Sequence, residues 1–166
     1  FLNHKLDIKF LDRIGFGFRR RFDGVDINKI LTVEASGIAV ACMTAPHFGY
    51  PPVVFAKKAV PSTMTEGFYK AEAKSFTKGT VSEFRVSESF LNESDKVLII
   101  DDFMAHGEAS MALLNIAKQA GAEVAGVGAV IEKGFQGGSS KIREAGCRVE
   151  SLVVIEKVEN GNITFA

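Results

Sequence analysis

One predicted strand and the loop after it constrain this chain most. Residues 97–100, Val-Leu-Ile-Ile, form an unbroken β-preferring apolar run, which is typical of a strand buried on both faces of a parallel sheet. Asp101 and Asp102 follow where this strand is expected to end, and a helical pattern begins near Glu108, just after Gly107. Ligands of open α/β sheets bind beyond the carboxyl ends of the strands, so this junction is the first candidate for a binding site.

The residues of this junction indicate a ligand that carries both a phosphate and hydroxyl groups. Free amides at the start of a helix and the helix dipole favour an anion. Carboxylates would repel that anion, so we expect Asp101 and Asp102 to accept hydrogen bonds from neutral hydroxyls or to face a metal ion. A ribose 5-phosphate meets both requirements. The alternatives are a helix cap, a metal site, or an acid–base pair, and the last is disfavoured because neighbouring strand residues point to opposite faces.

The rest of the chain alternates between strand and helix patterns, which predicts an α/β fold with a mainly parallel sheet flanked by helices. Residues 59–80 suit two edge strands joined by a mobile loop, and the segment around residues 75–78 could act as a lid. The first helix, near residues 6–22, should bury an apolar stripe at helical spacing. The stripe consists of Leu6, Phe10, Ile14, Phe18 and Phe22. Further helices are expected near 38–43, 108–119 and 138–145, and strands near 30–33, 53–56, 80–86, 124–131, 148–155 and 162–165.

The length and composition set bounds on the class of protein. The 166 residues predict a single domain over 1–166, and 20 basic residues balance 20 acidic ones, which argues against a nucleic-acid or membrane-surface partner. No apolar run reaches the roughly 20 residues that span a bilayer. Cys42 and Cys147 lack metal-binding spacing and are expected to be buried free thiols of a cytoplasmic protein. Because the chain starts at Phe1 rather than Met, further residues are expected upstream.

Residues 97–109 resemble the ribose-phosphate motif of type I phosphoribosyltransferases, which consists of an apolar strand, two acidic residues and a phosphate loop. Many members have two threonines in that loop, whereas this chain has Ala105, His106, Gly107, Glu108 and Ala109. The loop is similar to the Ala-Asn-Gly-Gln-Ala version of bacterial xanthine phosphoribosyltransferases. The similarity continues over nearly the whole chain, in the same order, at residues 1–4, 34–38, 53–58, 75–78 and 130–136.

The resemblance implies a type I phosphoribosyltransferase-like twisted, mainly parallel sheet with a small hood, part of which would lie upstream of Phe1. It also implies transfer of a 5-phosphoribosyl group from 5-phosphoribosyl 1-pyrophosphate (the donor) to xanthine. Mg²⁺ would enter with the donor, so no direct protein ligand to the metal is expected. The family members are usually homodimers, and the early helix and residues 38–43 are candidates for the interface.

The donor site predicted from the resemblance has three parts. Asp101 and Asp102 would be the catalytic pair and would receive the ribose 2′- and 3′-hydroxyls. The amides of residues 105–109 would bind the 5′-phosphate, with the His106 side chain incidental because relatives carry an uncharged Asn there. Ala35, Ser36 and Gly37 would form a pyrophosphate-binding loop, although an ordinary turn in which Ser36 caps the next helix is the alternative.

Two further groups complete the predicted site. Lys57, where many relatives have arginine, would offset pyrophosphate charge, although lysines at a strand end are usually only solvated. In the base pocket, Asn3 matches an asparagine of the family, Lys133 would reach an exocyclic oxygen of a 6-oxopurine, and Phe135 would stack on the ring. A helix cap for Asn3 and a core position for Phe135 are the alternatives.

Other functions share parts of this pattern. A hypoxanthine or guanine phosphoribosyltransferase differs by as little as one hydrogen bond at the purine 2-position. A non-catalytic regulator of the same fold would sense the donor, but the chain shows no basic excess for DNA. A receiver-like signalling domain would use Asp101 and Asp102 for Mg²⁺, and the rest of the chain does not support it.

Overall fold

A computed structural model describes residues 2, 4–59, 67–75 and 79–166. Its helices are α1 Ile8–Arg21, α2 Ser36–Thr44, α3 Glu108–Gln119 and α4 Gly138–Glu144. Its strands are β1 Lys29–Val33, β2 Val53–Ala59, β3 Phe68–Ser75, β4 Thr80–Ser87, β5 Lys96–Met104, β6 Glu123–Lys133, β7 Val149–Glu159 and β8 Asn162–Phe165. Short 3₁₀ turns lie at Ala45–Phe48, Glu88–Phe90 and Gly134–Gln136.

The strands form one eight-stranded sheet in the order β3-β4-β2-β1-β5-β6-β7-β8. The five central strands, from β2 to β7 in that order, are parallel, and β3, β4 and β8 add antiparallel edges. This confirms the predicted α/β fold with a mainly parallel sheet. Because the five parallel strands end at the same side, their carboxyl ends bring residues distant in sequence together.

Strand β5 buries side chains on both faces, as its apolar run predicts. Val97 and Ile99 pack in the core that also holds α3, whereas Leu98 and Ile100 pack in the core that holds α1 and α2. The strand is longer than predicted, however, and continues through Asp101 and Asp102 to Met104. The reason is that the longer strand β6 offers it hydrogen-bonding partners as far as Glu132. The two carboxylates therefore lie within the last part of the strand rather than after it.

Helix α1 forms as predicted but buries a different stripe. The Asp7 side chain caps it by accepting a hydrogen bond from the Phe10 amide at 3.0 Å, so Leu6 lies before the helix. Leu6 and Phe10 are exposed, because the face turned to the sheet carries Leu11 in place of Phe10. The buried face consists of Leu11, Ile14, Gly15 and Phe18, followed by Phe22 just beyond the helix.

The prediction that both cysteines are buried was wrong. Cys42 is exposed on the outer side of α2, and Cys147, in the turn before β7, is only half-buried. Both are free thiols, as expected. None of the helices in the described part of the chain combines the length and apolar character needed to cross a membrane.

Candidate active site

A cavity of about 320 Å³ opens at the carboxyl end of β5. It is lined by the buried Asp101, by the loop of residues 105–109 and by Lys133 from the end of β6. The remaining lining residues are Lys74, Phe103, Met104, Ser110 and Gln136. The structure thus brings together one carboxyl group, the predicted phosphate loop and one predicted base-binding lysine.

The loop of residues 105–109, predicted to bind a phosphate and called the phosphate loop below, has the turn and the helix start that the sequence predicts. Gly107 adopts a left-handed backbone with φ of 73°, and α3 begins at the next residue with no side chain capping it. The first residues of α3 line the cavity, and their uncapped amides together with the helix dipole favour an anion there. The carboxylate of Glu108 would oppose that anion, but it forms an ion pair of 2.5 Å with Lys141 of α4.

Helix α4 packs directly against this loop through Gly138. The Gly138 amide donates a hydrogen bond of 3.2 Å to the carbonyl of Ala105. A Cβ atom at Gly138 would lie 2.5 Å from that carbonyl oxygen and 2.7 Å from the amide nitrogen of Gly107. Only glycine permits this approach, so the loop is supported from below by a residue that the sequence analysis did not single out.

Asp101 is only 5% exposed, and its surroundings oppose its negative charge. Burial first, then repulsion by Asp102 and a hydrogen bond with it, raises the pKa of Asp101 to about 8. The amide of Asp102 donates to Asp101 Oδ1 at 2.9 Å, and this bond together with the charge of Lys58 lowers the pKa again in part. Asp101 is thus a protonated acid at neutral pH that hydroxyl donors or a nearby cation would help to ionise.

We expect this raised pKa to appear as a pH dependence of stability. Between the unperturbed pKa of 3.8 and about 8, folded Asp101 keeps a proton that the unfolded chain has released, so stability falls as pH rises through this window. Asp101→Asn removes that loss. Thermal or urea unfolding should show the variant gaining at least about 1.4 kcal/mol over wild type between pH 5 and pH 9, which corresponds to one pKa unit. Asp26→Asn, at an exposed aspartate, is the control for the effect of the substitution itself.

The predicted pyrophosphate loop lies beside Asp101 but does not line the cavity. The Glu34–Ala35 peptide bond is cis, and α2 starts at Ser36 without a side-chain cap, so Ser36 does not cap the helix. A Cβ atom at Gly37 would lie 3.8 Å from Asp101 Oδ1. Glu34 Oε1 accepts a hydrogen bond of 2.6 Å from the amide of Lys58, which fastens this turn to the end of β2.

The two lysines at the end of β2 have different surroundings. Lys57 is exposed and lies opposite Arg85 of β4. Lys58 extends over the ring of Phe84, 5.9 Å from its centroid, and its charge acts on Asp101. Of these two lysines, Lys58 is therefore the one whose charge acts on Asp101, whereas the family resemblance pointed to Lys57. The role of Lys57 stays a prediction.

The remaining predicted residues fall in three places. Asp102 is half-buried and does not line the cavity, while Phe135 is exposed and does not line it either. Asn3 lies outside the described residues, as does most of the proposed lid, residues 76–78. Lys133 lines the cavity, and its ammonium lies 5.1 Å from the ring centroid of Phe103.

Five cavity residues were missed by sequence reasoning, namely Lys74, Phe103, Met104, Ser110 and Gln136. Phe103 directly follows the two carboxylates, and Lys74 belongs to the segment just before the proposed lid, so both could have been found as neighbours of motifs. Gln136 closes the predicted base segment, and its amide oxygen is buried without a hydrogen-bond partner among the described residues. Buried polar atoms are rarely left unpaired in proteins, so this oxygen is a candidate for contact with a ligand.

Comparisons with known proteins agree with this geometry. No protein-family model matches the chain. Xanthine phosphoribosyltransferase of Clostridium novyi is 52% identical over 165 residues, which is 99% of this chain and 86% of the relative. The Staphylococcus aureus protein of the same name is 51% identical, and xanthine phosphoribosyltransferase 2 of Clostridium botulinum is 48% identical, each over 99% of this chain and over 85% and 87% of the relative respectively.

Solved structures show the same fold at much lower identity. Adenine phosphoribosyltransferase of Thermoanaerobacter pseudethanolicus superposes with a TM-score of 0.77 at 20% identity, covering 89% of this chain and 82% of that one. The Giardia lamblia enzyme, complexed with 9-deazaadenine, gives the same TM-score and identity over 89% and 80%. The fold is thus that of the phosphoribosyltransferases, and the sequence identity narrows the relationship: the chain belongs to the xanthine phosphoribosyltransferase family.

Proposed function

We propose that this protein transfers a 5-phosphoribosyl group from 5-phosphoribosyl 1-pyrophosphate to a ring nitrogen of xanthine, giving xanthosine 5′-monophosphate and pyrophosphate in purine salvage. The observation that carries the proposal is the cavity itself. It places an anion-binding loop, a buried carboxyl group and Lys133 around one space. A donor with a phosphate, a diol and a departing pyrophosphate needs these groups together.

The donor would be held by two neighbouring features of the chain. The amides of residues 105–109 would bind the 5′-phosphate, since they open α3 with no side-chain cap. Asp101 and Asp102 would accept hydrogen bonds from the ribose hydroxyls, which favours the ionised form of Asp101. The turn at Ala35, Ser36 and Gly37 would bring backbone amides to the pyrophosphate, with Lys57 or Lys58 offsetting its charge.

In the reaction the bond from ribose C1 to pyrophosphate breaks, a bond from C1 to a purine nitrogen forms, and that nitrogen loses its proton. Positive charge builds on the ribose and negative charge on the pyrophosphate, so carboxylates below the ribose and cations beside the pyrophosphate both stabilise the transition state. Among the described residues, no cluster of His, Cys, Asp and Glu could hold a metal ion on its own. As the family resemblance implies, Mg²⁺ would arrive bound to the donor and neutralise part of its charge.

The base pocket would be formed around Lys133. Its ammonium can donate to an exocyclic oxygen at purine position 6, whereas the 6-amino group of adenine is itself a donor. Asn3 would read the far edge of the dioxopurine, and Phe135 or the cavity-lining Phe103 would stack on the ring. Residues 75–78 would close over the bound donor and exclude water, which competes with the base as acceptor.

Three broader proposals complete this assignment. The single sheet supports one domain over residues 1–166. Exposed apolar side chains on α1, among them Phe10 and Phe16, are consistent with a homodimer formed through this helix. A cytoplasmic location stays a prediction of the sequence.

A pyrophosphate-release assay tests the function. The protein, the donor and Mg²⁺ are combined with xanthine, hypoxanthine, guanine or adenine, and kcat/KM is measured for each base. We expect xanthine to give the highest value. A higher kcat/KM for hypoxanthine or guanine would show that the base is not xanthine. Donor binding without turnover of any base would show that the protein is a donor-sensing regulator rather than an enzyme.

Lys133→Gln is the variant that tests the base pocket. Losing a charged hydrogen-bond donor of roughly 1.5–3 kcal/mol should lower kcat/KM for xanthine about 10- to 100-fold, because each 1.4 kcal/mol is tenfold. The donor KM should change little. Lys157→Gln is the matched control, since Lys157 is an exposed lysine paired with Glu159 on β7. Equal kcat/KM values for wild type and Lys133→Gln would remove Lys133 from the pocket.

A further inference from the structure

We infer that Glu132 is a positioning residue for the base-binding segment of residues 133–136. The inference rests on the proposed function, because it concerns how Lys133 and Gln136 are held at the cavity. Glu132 itself does not line the cavity and touches no reacting group.

Glu132 is a buried carboxylate held by two hydroxyl groups. It is 4% exposed and lies one residue before the end of β6. Its Oε1 accepts a hydrogen bond from Ser139 of α4, and its Oε2 accepts one of 2.5 Å from Ser151 of β7. Both serines are buried as well. No ion pair within the described ranges involves Glu132. The hydrogen bonds from the two serine hydroxyls are therefore what offsets the cost of burying its charge.

This arrangement is more than packing requires. A buried carboxylate costs several kcal/mol of solvation unless it is well compensated, and an apolar side chain of similar size would fill the same space at lower cost. The carboxylate instead provides directional hydrogen bonds, which an apolar side chain cannot form. Its two oxygens fix the relative positions of three elements, β6, α4 and β7, through bonds with defined geometry.

The three elements enclose the base segment. Glu132 lies directly before residues 133–138 and Ser139 directly after them, so the bond between their side chains closes this six-residue loop at its base. Ser151 ties the same carboxylate to β7, which also pairs with Lys133 through the backbone. Within the loop, Lys133 and Gln136 line the cavity. The position of Lys133 and Gln136 relative to the phosphate loop therefore depends on Glu132, although the Glu132 side chain does not line the cavity.

The donor site keeps contacts that do not involve the Glu132 side chain, among them the backbone bond from the Gly138 amide to the Ala105 carbonyl. Residues 105–109 are built on β5 and α3, and Asp101 belongs to β5. Loosening the Glu132 contacts should thus displace the base-binding groups more than the donor-binding ones. The expected signature is a rise in the KM for the base without a matching rise in the KM for the donor, which a general loss of stability would not produce.

The experiment uses Glu132→Gln, Ser151→Ala and a control, Asp95→Asn. Gln keeps the volume of Glu132 but loses its charge and accepts from only one serine, so the other hydroxyl has to turn and accept from the Gln amide nitrogen. Ser151→Ala deletes one bond and no charge. Asp95 is a second buried carboxylate, 6% exposed, but it pairs with Lys29 at 2.7 Å before the start of β5, at the opposite end of the sheet. The control measures what loss of a buried carboxylate does to activity through stability alone.

We expect both test variants to raise the KM for xanthine about 10-fold, as loss of a supporting contact commonly does, with the donor KM and kcat within about twofold of wild type. Asp95→Asn should lower the melting temperature and leave both KM values unchanged. An unchanged KM for xanthine in Ser151→Ala and in any folded Glu132→Gln, or parallel rises in both KM values, would overturn the inference. If Glu132→Gln does not fold, Ser151→Ala alone decides.

The outcomes separate this inference from the proposed function. Should wild type prefer another oxopurine, the same KM comparison is made with that base. Wild type that turns over no purine would overturn both statements. Normal wild-type turnover with unaltered KM values in the variants would overturn only the positioning role of Glu132.

Discussion

Asp101→Asn is expected to lower kcat/KM for the phosphoribosyl donor by roughly 100-fold or more. The carboxylate would accept hydrogen bonds from the ribose hydroxyls, and bonds to a charged acceptor contribute about 1.5–3 kcal/mol each. Asparagine keeps the shape and offers one acceptor without the charge. It also removes a carboxylate that would stabilise the positive charge building on the ribose. Steady-state kinetics with varied donor at saturating xanthine measure the effect.

Asp102→Asn is the comparison for this variant. Asp102 is half-buried and does not line the cavity, so its replacement should lower kcat/KM less, and the double variant should be at least as impaired as Asp101→Asn. Unfolding curves serve as the control, since Asp101→Asn should remain folded. A kcat/KM within about threefold of wild type for the double variant would remove both residues from diol binding.

If these expectations hold, Asp101 contributes to the reaction while lowering the free energy of unfolding at neutral and higher pH. Its pKa of about 8 means that the folded chain holds it against its preferred ionisation at neutral pH. An asparagine would be accommodated more easily, because it has no charge to desolvate. Loss of activity together with a gain of stability at high pH would identify a site residue, whereas a purely structural residue would lose both.

The sequence predicted the framework well because the relevant signals are local. The run Val97–Ile100 indicated a strand buried on both faces, and Gly107 followed by an apolar-periodic segment indicated the start of α3; both are observed. The end of β5 was misplaced because strand length depends on the neighbouring strand β6, which local pattern does not report. The stripe on α1 was misassigned for a similar reason, since the helix start at Asp7 fixes which residues face the sheet.

The site was predictable only in part, because several of its features join distant parts of the chain. Asp101 and the loop 105–109 are contiguous and were found together. The placement of Lys58 relative to Asp101 depends on the alignment of β2 with β5 across β1. The contact of Lys133 with Phe103 likewise requires β5 and β6 to be in register, since Phe103 pairs with Ile131. Spacing along one chain does not reveal such contacts.

Gly138 is the most consequential of these distant contacts, and Gly138→Ala is expected to lower kcat/KM for the donor about 100-fold. The new Cβ would lie 2.5 Å from the Ala105 carbonyl oxygen and 2.7 Å from the Gly107 amide nitrogen, and both are backbone atoms that cannot turn aside. Either α4 or the phosphate loop must move. A displacement near 1 Å in a group that orients substrate commonly costs about two orders of magnitude in rate.

Gly17→Ala is the matched control because it adds the same methyl group to a helix. Its Cβ would meet only the flexible side chain of Leu152, at 3.3 Å, so α1 should accept it and gain stability from the better helix former. Kinetics with varied donor distinguish the two variants. A Gly138→Ala protein with wild-type kcat/KM would show that α4 does not support the phosphate loop. A selective loss of donor binding in a folded Gly138→Ala protein would instead show that this glycine supports the donor site through its contact with the loop backbone.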